Sequence, residues 1–571
     1  MTPVLTPSVQ TVRPGGTHQG GFISALVKLV RFAAGPTATV WIALLLAACS
    51  AAPETQVPSP VPPTATQLPT PAPTPKPVPS TVRLWASPAL PAALFGPAQR
   101  VAQVGNLQVE WVEDPTQAEV RIEPSPDRPL TRWIYAVVAP FPTIEDQISL
   151  EELRRAWTSV ESEIALYLTD QVANELATLL GSEAKLQLAS GERILDQVWE
   201  ARNAYAIIPF EKLEPRWKVI RLDNRSPLDR DFDSQSYPLV VSFGLSGDPE
   251  LMDRLDPLLD WPRSNRDPNK ITTVLMTGVS ALVRATAWRM DRYGADYPGQ
   301  QIGAIMRQAD ITHISHESAF TEDCPPPDPV QTSLRFCSAP RHLPLFEAVG
   351  VDLIELSGNH LADWGTEALL STLDLYDQQG FETFAGGRDL AEARLPALIE
   401  HNGNRIAFLG CNEPGPAYVW AKADRPGALR CDDDGLMERV TQLADDGYSV
   451  IFTFQWRESA STSPLPDQID AFRRAIEAGA VIVSGSQAHR PQSMEFYAGG
   501  LIHYGLGNLF FDQMYKLPLR QEFLDRHTFY DGRYINTELV TAMLEDFAQP
   551  RPMTEVERAA LLGEIFAASG W

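Results

Sequence analysis

The sequence has few cysteines, fewer basic than acidic residues and few long apolar runs. It contains 5 cysteines in 571 residues. None of them are spaced as Cys-x-x-Cys, which argues against the common zinc and thiol redox motifs. Lysine and arginine number 47 against 72 aspartate and glutamate, a formal net charge of −25. This excess of negative charge argues against nucleic-acid binding, which needs a basic face, and against electrostatic attachment to anionic lipid.

An apolar run near the start of the chain predicts export. It extends from Thr37 to Leu46, follows Lys28 and Arg31, and is closed by a Leu-Ala-Ala-Cys sequence that ends at Cys49. A basic flank, a short apolar core and small residues at the cleavage point define a secretory signal. The closing sequence resembles the lipobox of bacterial lipoproteins, in which Cys49 becomes the acylated first residue of the mature protein. The alternatives are an ordinary signal peptide and an uncleaved anchor, although the run is marginal for spanning a bilayer.

Proline is concentrated directly after this signal. Residues 50–80 are crowded with proline, threonine and alanine, a composition that cannot bury a core. Such a segment favours extended polyproline-II geometry and acts as a semi-rigid spacer. We therefore expect a lipoprotein signal region over 1–49 and a linker over 50–80. The folded part is then an exported, membrane-anchored lipoprotein on the outer face of the cytoplasmic membrane.

The remaining cysteines lie in the second half of the chain, and they are Cys324, Cys337, Cys411 and Cys431. An even number in an oxidising compartment predicts disulfides, and the sequence alone allows three connectivities. Pairing of sequence neighbours closes one proline-rich loop and one loop beside Asn412. We predict this pairing, with each bond contributing about 3 kcal/mol in the chain-entropy picture.

Strands and helices alternate over residues 81–268. Thr81–Trp85 and Trp133–Val138 have the composition of strands, and Ser149 caps a stretch with helical spacing. A Val-Val-x-Pro strand, a Ser-Leu-Glu-Glu-Leu helix and the Ala204–Pro209 strand follow in that order. This order resembles a periplasmic solute-binding domain of the phosphate-binding type, which implies a ligand cleft between two lobes. A purely structural domain is the alternative.

Polar segments follow apolar, strand-like runs in the second half of the chain. These segments are Leu356–Gly365, Phe454–Glu458, Gly485–His489 and His503–Asp512. In α/β folds, binding and catalytic groups collect where strands end, because the scaffold there is rigid and its loops are exposed. The order of the segments therefore predicts one functional site built from several strand ends.

The same segments resemble the CapA-type family of capsule biosynthesis (poly-γ-glutamate) proteins, over about Ile271 to Phe547. Ser357-Gly-Asn-His360 is similar to the Asn-Asn-His element of that family, and Gln455-Trp-Arg-Glu458 to its His-Trp-Gly-x-Glu element. The family domain has a metallophosphoesterase-like fold. The resemblance implies a layered α/β/β/α domain over 271–547, preceded by the periplasmic-binding-protein-like α/β domain over 81–268 and followed by a tail over 548–571.

Several metal ligands of the family pattern are replaced in this sequence. Val279 stands where the family has its first aspartate, and Gln455 stands where it has a histidine. The leading histidine of a Gly-His-x-Pro-His segment is replaced within Ser486-Gln487. A two-metal phosphoesterase site needs carboxylate, imidazole and amide ligands that bridge two cations. The ligands that remain predict one Mn²⁺ or Zn²⁺ ion at most, or none.

The resemblance nevertheless assigns a full set of site residues. We expect Glu317, Asn359, His360 and His489 to be metal ligands, and His360 and Glu458 to be the catalytic groups. Around them we expect a pocket lined by His316, Asp363, Gln455, Trp456, Gln487 and Asn508.

Structural alternatives exist for several of these residues. Asn359 and His360 are also suited to capping the helix that follows them, since asparagine satisfies free backbone N–H groups there. His489 alone would suit a surface loop. We expect His503 to pack in the last strand and not to bind metal. Asn508 and Asp512 are equally suited to turns.

Two classes of function follow from these observations. The first is a metal-dependent hydrolase or transferase acting on a phosphoester or an envelope polymer, in which a cation lowers the pKa of bound water. The second is a ligand-binding or assembly protein of the cell envelope without turnover. We favour a CapA-type envelope protein with a degenerate metal site. Its expected partners are an envelope polysaccharide or polyglutamate polymer and the machinery that makes it.

Overall fold

The computed structural model describes residues 81–159, 164–181, 187–191 and 193–571. The signal region, Cys49 and the whole linker lie outside the described residues. No helix within the described ranges is long and apolar enough to cross a membrane. The described residues lie in one compact unit.

The first part of this unit is built on a mixed sheet. Its strands are β1 (Thr81–Ala86), β2 (Gln103–Val104), β3 (Leu107–Trp111), β4 (Val120–Pro124), β5 (Arg128–Pro140), β6 (Gln147–Ile148), β7 (Ala165–Leu168), β8 (Gln187–Leu188), β9 (Ala204–Pro209), β10 (Trp217–Leu222) and β11 (Val240–Gly247). Its helices are α1 (Ala92–Gln99), α2 (Leu150–Thr158), α3 (Asp170–Leu180), α4 (Ile194–Ala201) and α5 (Pro249–Leu255). The main path of the sheet runs β2-β3-β1-β4-β11-β5-β9-β7-β8.

Local sequence signals explain why these elements form. Ser149 accepts a hydrogen bond from the backbone of Glu152, whose carboxylate accepts one from the Ser149 backbone, so α2 starts with the predicted capping box. The strands predicted at Thr81–Trp85 and Ala204–Pro209 lie in β1 and β9. Strand β5 is buried from Trp133 onward, as expected for a central strand of the sheet.

The second part contains two further sheets and their helices. Its strands are β12 (Ile271–Met276), β13 (Val279–Ser280), β14 (Ile311–His316), β15 (Leu353–Glu355), β16 (Glu382–Phe384), β17 (Gly386–Gly387), β18 (Ala397–His401), β19 (Asn404–Asn412), β20 (Gly427–Ala428), β21 (Ser449–Gln455), β22 (Ala480–Ser486), β23 (Met494–Tyr497), β24 (Gly500–His503), β25 (Gln521–Tyr530), β26 (Arg533–Glu545) and β27 (Gln549–Pro552). Its helices are α6 (Arg284–Tyr293), α7 (Gly303–Met306), α8 (Pro344–Val349), α9 (Gly365–Gln379), α10 (Leu390–Ala393), α11 (Leu436–Asp445), α12 (Pro466–Glu477) and α13 (Glu555–Ala568).

The two sheets pack face to face between layers of helices. One sheet runs β16-β15-β14-β12-β25-β26-β27, and the other runs β18-β19-β21-β22-β24-β23. A core that includes Val274 and Ile311 of the first sheet and Phe408 and Ile451 of the second lies between them. Helices α8 and α9 cover the outer face of the first sheet, and α11 and α12 cover that of the second. The predicted α/β/β/α layering is therefore confirmed.

The edge of the second sheet shows how a short turn sets the register. Asn402 and Gly403 connect β18 to β19 and both have positive φ, at 49° and 76°. Asparagine and glycine adopt this conformation most easily, and the resulting two-residue turn matches the twist of an antiparallel pair. The hairpin predicted at Asn402-Gly403 is confirmed.

The two parts of the unit share contacts near the predicted boundary. Strand β11 belongs to the sheet of the first part and β12 to a sheet of the second part. The domain boundary expected at residues 268–271 lies between these two strands. Tyr530 nevertheless packs edge-on against Phe210, at 5.0 Å between ring centres, and Asn536 Nδ2 donates to the Trp217 carbonyl at 3.0 Å. The division into two separate domains stays a prediction. The predicted tail is a strand and a helix, and Leu562 and Ile565 of α13 lie in the core between the sheets.

Candidate functional site

The polar segments predicted to form a site meet around one side-chain amide. Gln455 Nε2 lies 3.4 Å from Glu317 Oε2, 3.2 Å from Asn359 Oδ1 and 2.7 Å from Gln487 Oε1. These residues come from the ends of β14, β21 and β22 and from the loop after β15. Strands β14 and β15 are parallel, as are β21 and β22, so their carboxyl ends lie at common edges. The predicted convergence of strand ends is present in the structure.

A buried asparagine orients this amide. Asn412 Nδ2 donates to Gln455 Oε1 and to the Ser357 carbonyl, each at 2.7 Å. With its oxygen held in this way, Gln455 presents its NH₂ group to Glu317, Asn359 and Gln487. Gln455 is fully buried, so its orientation is fixed by these partners and not by solvent.

His360 is held by a carboxylate behind it. Its Nδ1 donates to Asp363 Oδ2 at 2.7 Å, and the same oxygen accepts from the Phe336 backbone N–H at 2.8 Å. This contact fixes the tautomer, so that Nε2 of the neutral ring carries the lone pair. Burial lowers the pKa of His360, but the hydrogen bond to Asp363 and the charge of Glu317 reverse this, and the pKa lies above its usual range.

His489 is held in the same way by an amide. Its Nδ1 donates to Asn508 Oδ1 at 2.8 Å, and Asn508 Nδ2 donates to the His489 carbonyl at 3.0 Å. Nε2 of the neutral ring is again the free nitrogen. It lies 4.0 Å from Glu458 Oε1. His489 is only 7 % exposed, so its alternative interpretation as a surface-loop histidine is wrong.

Glu317 is the buried acid of the group. It is 1 % exposed, and burial raises its pKa. The charges of His360, His489 and Arg284 act in the opposite direction on that pKa, and the charge of Glu458 adds to the rise. A buried carboxylate within reach of the charges of two imidazoles is an arrangement suited to holding a proton.

Backbone geometry brings the segments this close. A side chain at Gly358 would place its Cβ 2.3 Å from the Glu317 Cα, so only glycine allows the 357–360 segment to lie against Glu317. Arg284, Gln487 and His489 have positive φ at 45°, 77° and 56°. Non-glycine residues rarely adopt this conformation, which costs of order 1–3 kcal/mol and clusters at functional sites.

Glu458 occupies a different environment from the other predicted residues. Its side chain is 75 % exposed, and its contact in this region is the 4.0 Å approach to His489. It therefore lies at the rim of the group and not in the buried centre with Glu317.

Two residues predicted to line the pocket lie in the hydrophobic core instead. His316 packs between Phe320 and Phe346, at 5.1 and 5.2 Å between ring centres, and burial lowers its pKa to about 3. Trp456 packs edge-on against Phe454 and Phe472. Both predictions are wrong, because neighbouring residues of an extended chain point to opposite faces.

The structure also decides the remaining alternatives. Helix α9 has Trp364 at its N-cap without a side-chain cap, so the interpretation of Asn359 and His360 as the cap is wrong. His503 lies in β24 and donates from Nδ1 to Asp525 Oδ2 at 2.6 Å. Asp512 forms an ion pair with Arg284 and accepts from the Ala285 backbone N–H, so it is more than a turn residue.

Sequence reasoning missed three residues of this region. Arg284 lies within 5.0 Å of the ring centres of Phe336 and Phe511. Phe336 packs on His360 at 4.3 Å, and Phe511 stacks on His489 at 5.3 Å. No local motif marks Arg284 or Phe336. Phe511 lies in the His503–Asp512 segment, next to Asp512. Its place in that segment was the one sequence signal for it.

Both predicted disulfides are present and each lies beside the site. Cys324 is bonded to Cys337, the neighbour of Phe336, and Cys411 is bonded to Cys431. Cys411 precedes Asn412, the residue that orients Gln455. The predicted pairing of sequence neighbours is confirmed.

The group contains donor atoms of the types that bind divalent cations, but fewer of them than the family pattern has. Glu317, the Nε2 atoms of His360 and His489, and the Asn359 amide oxygen are suitable ligands for Mn²⁺ or Zn²⁺. Val279 is buried and apolar, and Gln455 has its oxygen committed to Asn412. Within the described residues, no three His, Cys, Asp or Glu side chains are grouped closely enough to hold a metal ion as they stand.

The second part of the chain is similar to known proteins. Residues 273–513 match the family described as bacterial capsule synthesis protein PGA_cap. The capsule biosynthesis protein CapA of Bacillus anthracis is 23 % identical over 298 residues, which cover 51 % of this chain and 72 % of that protein.

Solved structures give weaker likenesses. A 5'-nucleotidase precursor from Thermus thermophilus is 14 % identical, covers 52 % of this chain and 59 % of its own, and has a TM-score of 0.30. An ABC-type phosphate transport receptor from Vibrio cholerae is 13 % identical, covers 32 % of this chain and 94 % of its own, and has a TM-score of 0.26. At these scores the likenesses do not bear on function.

Proposed function

We propose that this chain, which matches the capsule synthesis family over residues 273–513, is an exported envelope protein that binds a polyglutamate-type polymer during its synthesis or export. The observation that carries this proposal is the convergence of Glu317, Asn359, His360 and His489 on one group. Each imidazole of that group presents a free Nε2. The two disulfides support an oxidising compartment outside the cytoplasm.

The charges of the group imply how such a polymer would bind. Glu317, Asp363, Glu458 and Asp512 are carboxylates, and a polymer of carboxylates would be repelled by them. A divalent cation on Glu317 and the two imidazoles would supply positive charge at that point. We therefore propose one weakly held Mn²⁺ or Zn²⁺ ion, with the polymer carboxylates binding on its open side.

Polymer binding to the purified protein tests this proposal. We expect γ-linked polyglutamate to bind in the presence of Mn²⁺ and binding to fall at least about tenfold after EDTA treatment or in His360→Ala. His401→Ala, which changes a histidine at the end of β18, should bind like the wild type. Binding that is unaffected by EDTA and by His360→Ala would contradict the proposal.

The anchor is a separate part of the proposal. Cys49 lies outside the described residues, and its lipidation would hold the exported chain on the outer face of the cytoplasmic membrane. We expect Cys49→Ser to move the protein from the membrane fraction to the soluble exported fraction. Continued detergent-dependent membrane retention of that variant would contradict a lipid anchor.

A second candidate is a single-metal hydrolase of envelope substrates. The arrangement that favours it is the His360–Asp363 contact, because a carboxylate behind an imidazole orients it and stabilises its protonated form. In this candidate His360 would move a proton at Nε2, and Glu458 at the rim would accept a proton from water or substrate. The bound cation would supply a water of lowered pKa.

A ligand-binding module without turnover is the third candidate, and polymer binding without hydrolysis would distinguish it.

A further inference from the structure

Asp363 is held by three separate parts of the chain. Its side chain is only 2 % exposed. One oxygen, Oδ2, accepts from His360 Nδ1 at 2.7 Å and from the Phe336 backbone N–H at 2.8 Å. The other oxygen, Oδ1, accepts from the Tyr418 hydroxyl at 2.8 Å. Both oxygens of this buried carboxylate therefore have partners, and one of those partners is a histidine of the candidate site.

The two partners outside the site lie in different disulfide-closed loops. Phe336 lies in the loop over residues 324–337 and Tyr418 in the loop over residues 411–431, and a bond between its first and last residues closes each loop. The first loop also binds the backbone of Asp363, whose carbonyl accepts from Arg335 Nε at 2.9 Å. Each oxygen of the Asp363 carboxylate is thus bonded by a different loop.

The first loop depends on its covalent closure. The structure describes every residue from 324 to 337, and none of them lies in a helix or a strand. Val330 and Leu334 are 78 % and 69 % exposed, so these apolar side chains do not hold the loop in a core. A segment of this kind has many conformations when its ends are free, and closing it restricts them. The position of the Phe336 N–H at Asp363 therefore depends on the disulfide beside it.

The second loop connects the two sheets. It leaves β19 of the second sheet at Asn412, and its residues Val419 and Ala428 are buried in the core that the first sheet forms with α8 and α9. Tyr418 precedes Val419 and is 50 % exposed. Its hydroxyl therefore reaches Asp363 because of the path of the loop and not because its ring is buried. The disulfide joins the two ends of that path.

We propose that the two disulfide-closed loops form one positioning device, which fixes the Asp363 carboxylate and through it His360 only when both bonds are present. Each bond forms when two thiols lose two electrons and two protons to a protein disulfide of the exported compartment, which becomes a dithiol. The reducing cytoplasm keeps the same cysteines as thiols. The site is then completed only after export, and this timing rests on the proposed function because it requires an exported chain.

Hydrogen–deuterium exchange of the purified full chain tests the device. The backbone N–H groups of Leu361, Asp363 and Gly365 are hydrogen-bonded within the 357–365 segment, so their exchange reports whether that segment is ordered. Replacing both cysteines of either loop by serine should speed exchange in this segment at least about tenfold. Exchange in β12 should stay as in the wild type. Loss of protection in β12 as well would contradict the proposal, because the bonds would then support the whole fold and not the site.

A variant that keeps both disulfides gives a second, independent readout. Tyr418→Phe removes one contact to Asp363 and should speed exchange in 357–365 by about threefold. Tyr497→Phe is the matched control, because the Tyr497 hydroxyl donates to a different carboxylate, that of Glu477. If the second loop acts through Tyr418, Tyr418→Phe adds nothing once the cysteines of that loop are serines.

Two results would overturn the device. One is exchange in 357–365 that is the same in Tyr418→Phe, Tyr497→Phe and the wild type. The other is an effect of Tyr418→Phe that is equally large with and without the disulfide of its loop, because the bond would then act independently of the contact to Asp363. Polymer binding is not measured here, so failure of the device is distinguishable from failure of the proposed function.

Discussion

Gln455 donates a hydrogen bond from Nε2 to Oε1 of Gln487 across 2.7 Å, at the two places where the family pattern has metal-binding histidines. The two replacements therefore compensate each other. A lone amide in a buried metal site would leave polar atoms without partners, which costs about 1–3 kcal/mol each. Paired amides satisfy one another and stabilise this buried polar group.

This pairing predicts a stability cost that is specific to Gln455. We expect Gln455→Ala to lower the free energy of unfolding by about 2–3 kcal/mol, because Asn412 and Gln487 each lose a buried partner. Urea denaturation measures the change. Gln442→Ala, at an exposed position of α11, should change it by less than about 0.5 kcal/mol. Equal effects of the two substitutions would contradict the pairing argument.

The disulfides predict a link between oxidation state and the site. Cys411–Cys431 restrains Asn412, which orients Gln455, and the separation of the two cysteines is 20 residues. We expect the double variant Cys411→Ser/Cys431→Ser to have a free energy of unfolding about 3 kcal/mol lower than that of the wild type. We also expect it to bind Mn²⁺ more weakly. Denaturation and metal titration measure the two effects. Unchanged Mn²⁺ affinity in a destabilised variant would show that the bond supports the fold but not the site.

A buried acid in the first part of the unit predicts a pH dependence of stability. Burial raises the pKa of Glu175 to about 7 from its ordinary value of 4.5, although Tyr135 and Gln171 donate to its carboxylate. Since the folded state holds this proton more tightly than the unfolded state, the stabilisation is fully present below pH 4.5. It is lost as the pH rises to about 7.

The variant Glu175→Gln isolates this effect. Its free energy of unfolding, minus that of the wild type, should rise by roughly 3 kcal/mol between about pH 4.5 and pH 8. Glu200→Gln, at an exposed position of α4, should show no such change. A pH-independent difference for Glu175→Gln would mean that the carboxylate is already ionised throughout this range.

Much of the fold followed from local sequence signals. Ser149 and Glu152 form the expected capping box, and Asn402-Gly403 forms the expected turn. The layering followed from the resemblance of ordered segments, since each segment ends a strand. Packing of the first part against β26 had no local signal, because contacts such as Asn536 to Trp217 join residues 319 positions apart.

Residues at the centre of the polar group were identified from the sequence, but several residues around it were not. Glu317 and Gln455 were identified, but their neighbours His316 and Trp456 were assigned to the same pocket although they face the core. The sequence does not show which of two adjacent residues faces which side when both are polar or aromatic. Arg284 and Phe336 were missed because the close approach that places them depends on a helix start and a disulfide loop far along the chain.

The last prediction concerns turnover. Two-metal phosphoester hydrolysis needs one cation to hold the attacking oxygen and another to hold the leaving group. Val279 and Gln455 stand where the family pattern has ligands for one of them. We expect the wild type with excess Mn²⁺ to hydrolyse a simple phosphodiester no faster than His360→Ala, measured as release of p-nitrophenol. Metal-dependent hydrolysis by the wild type that His360→Ala abolishes would show that one cation suffices, and would favour the hydrolase over the binding protein.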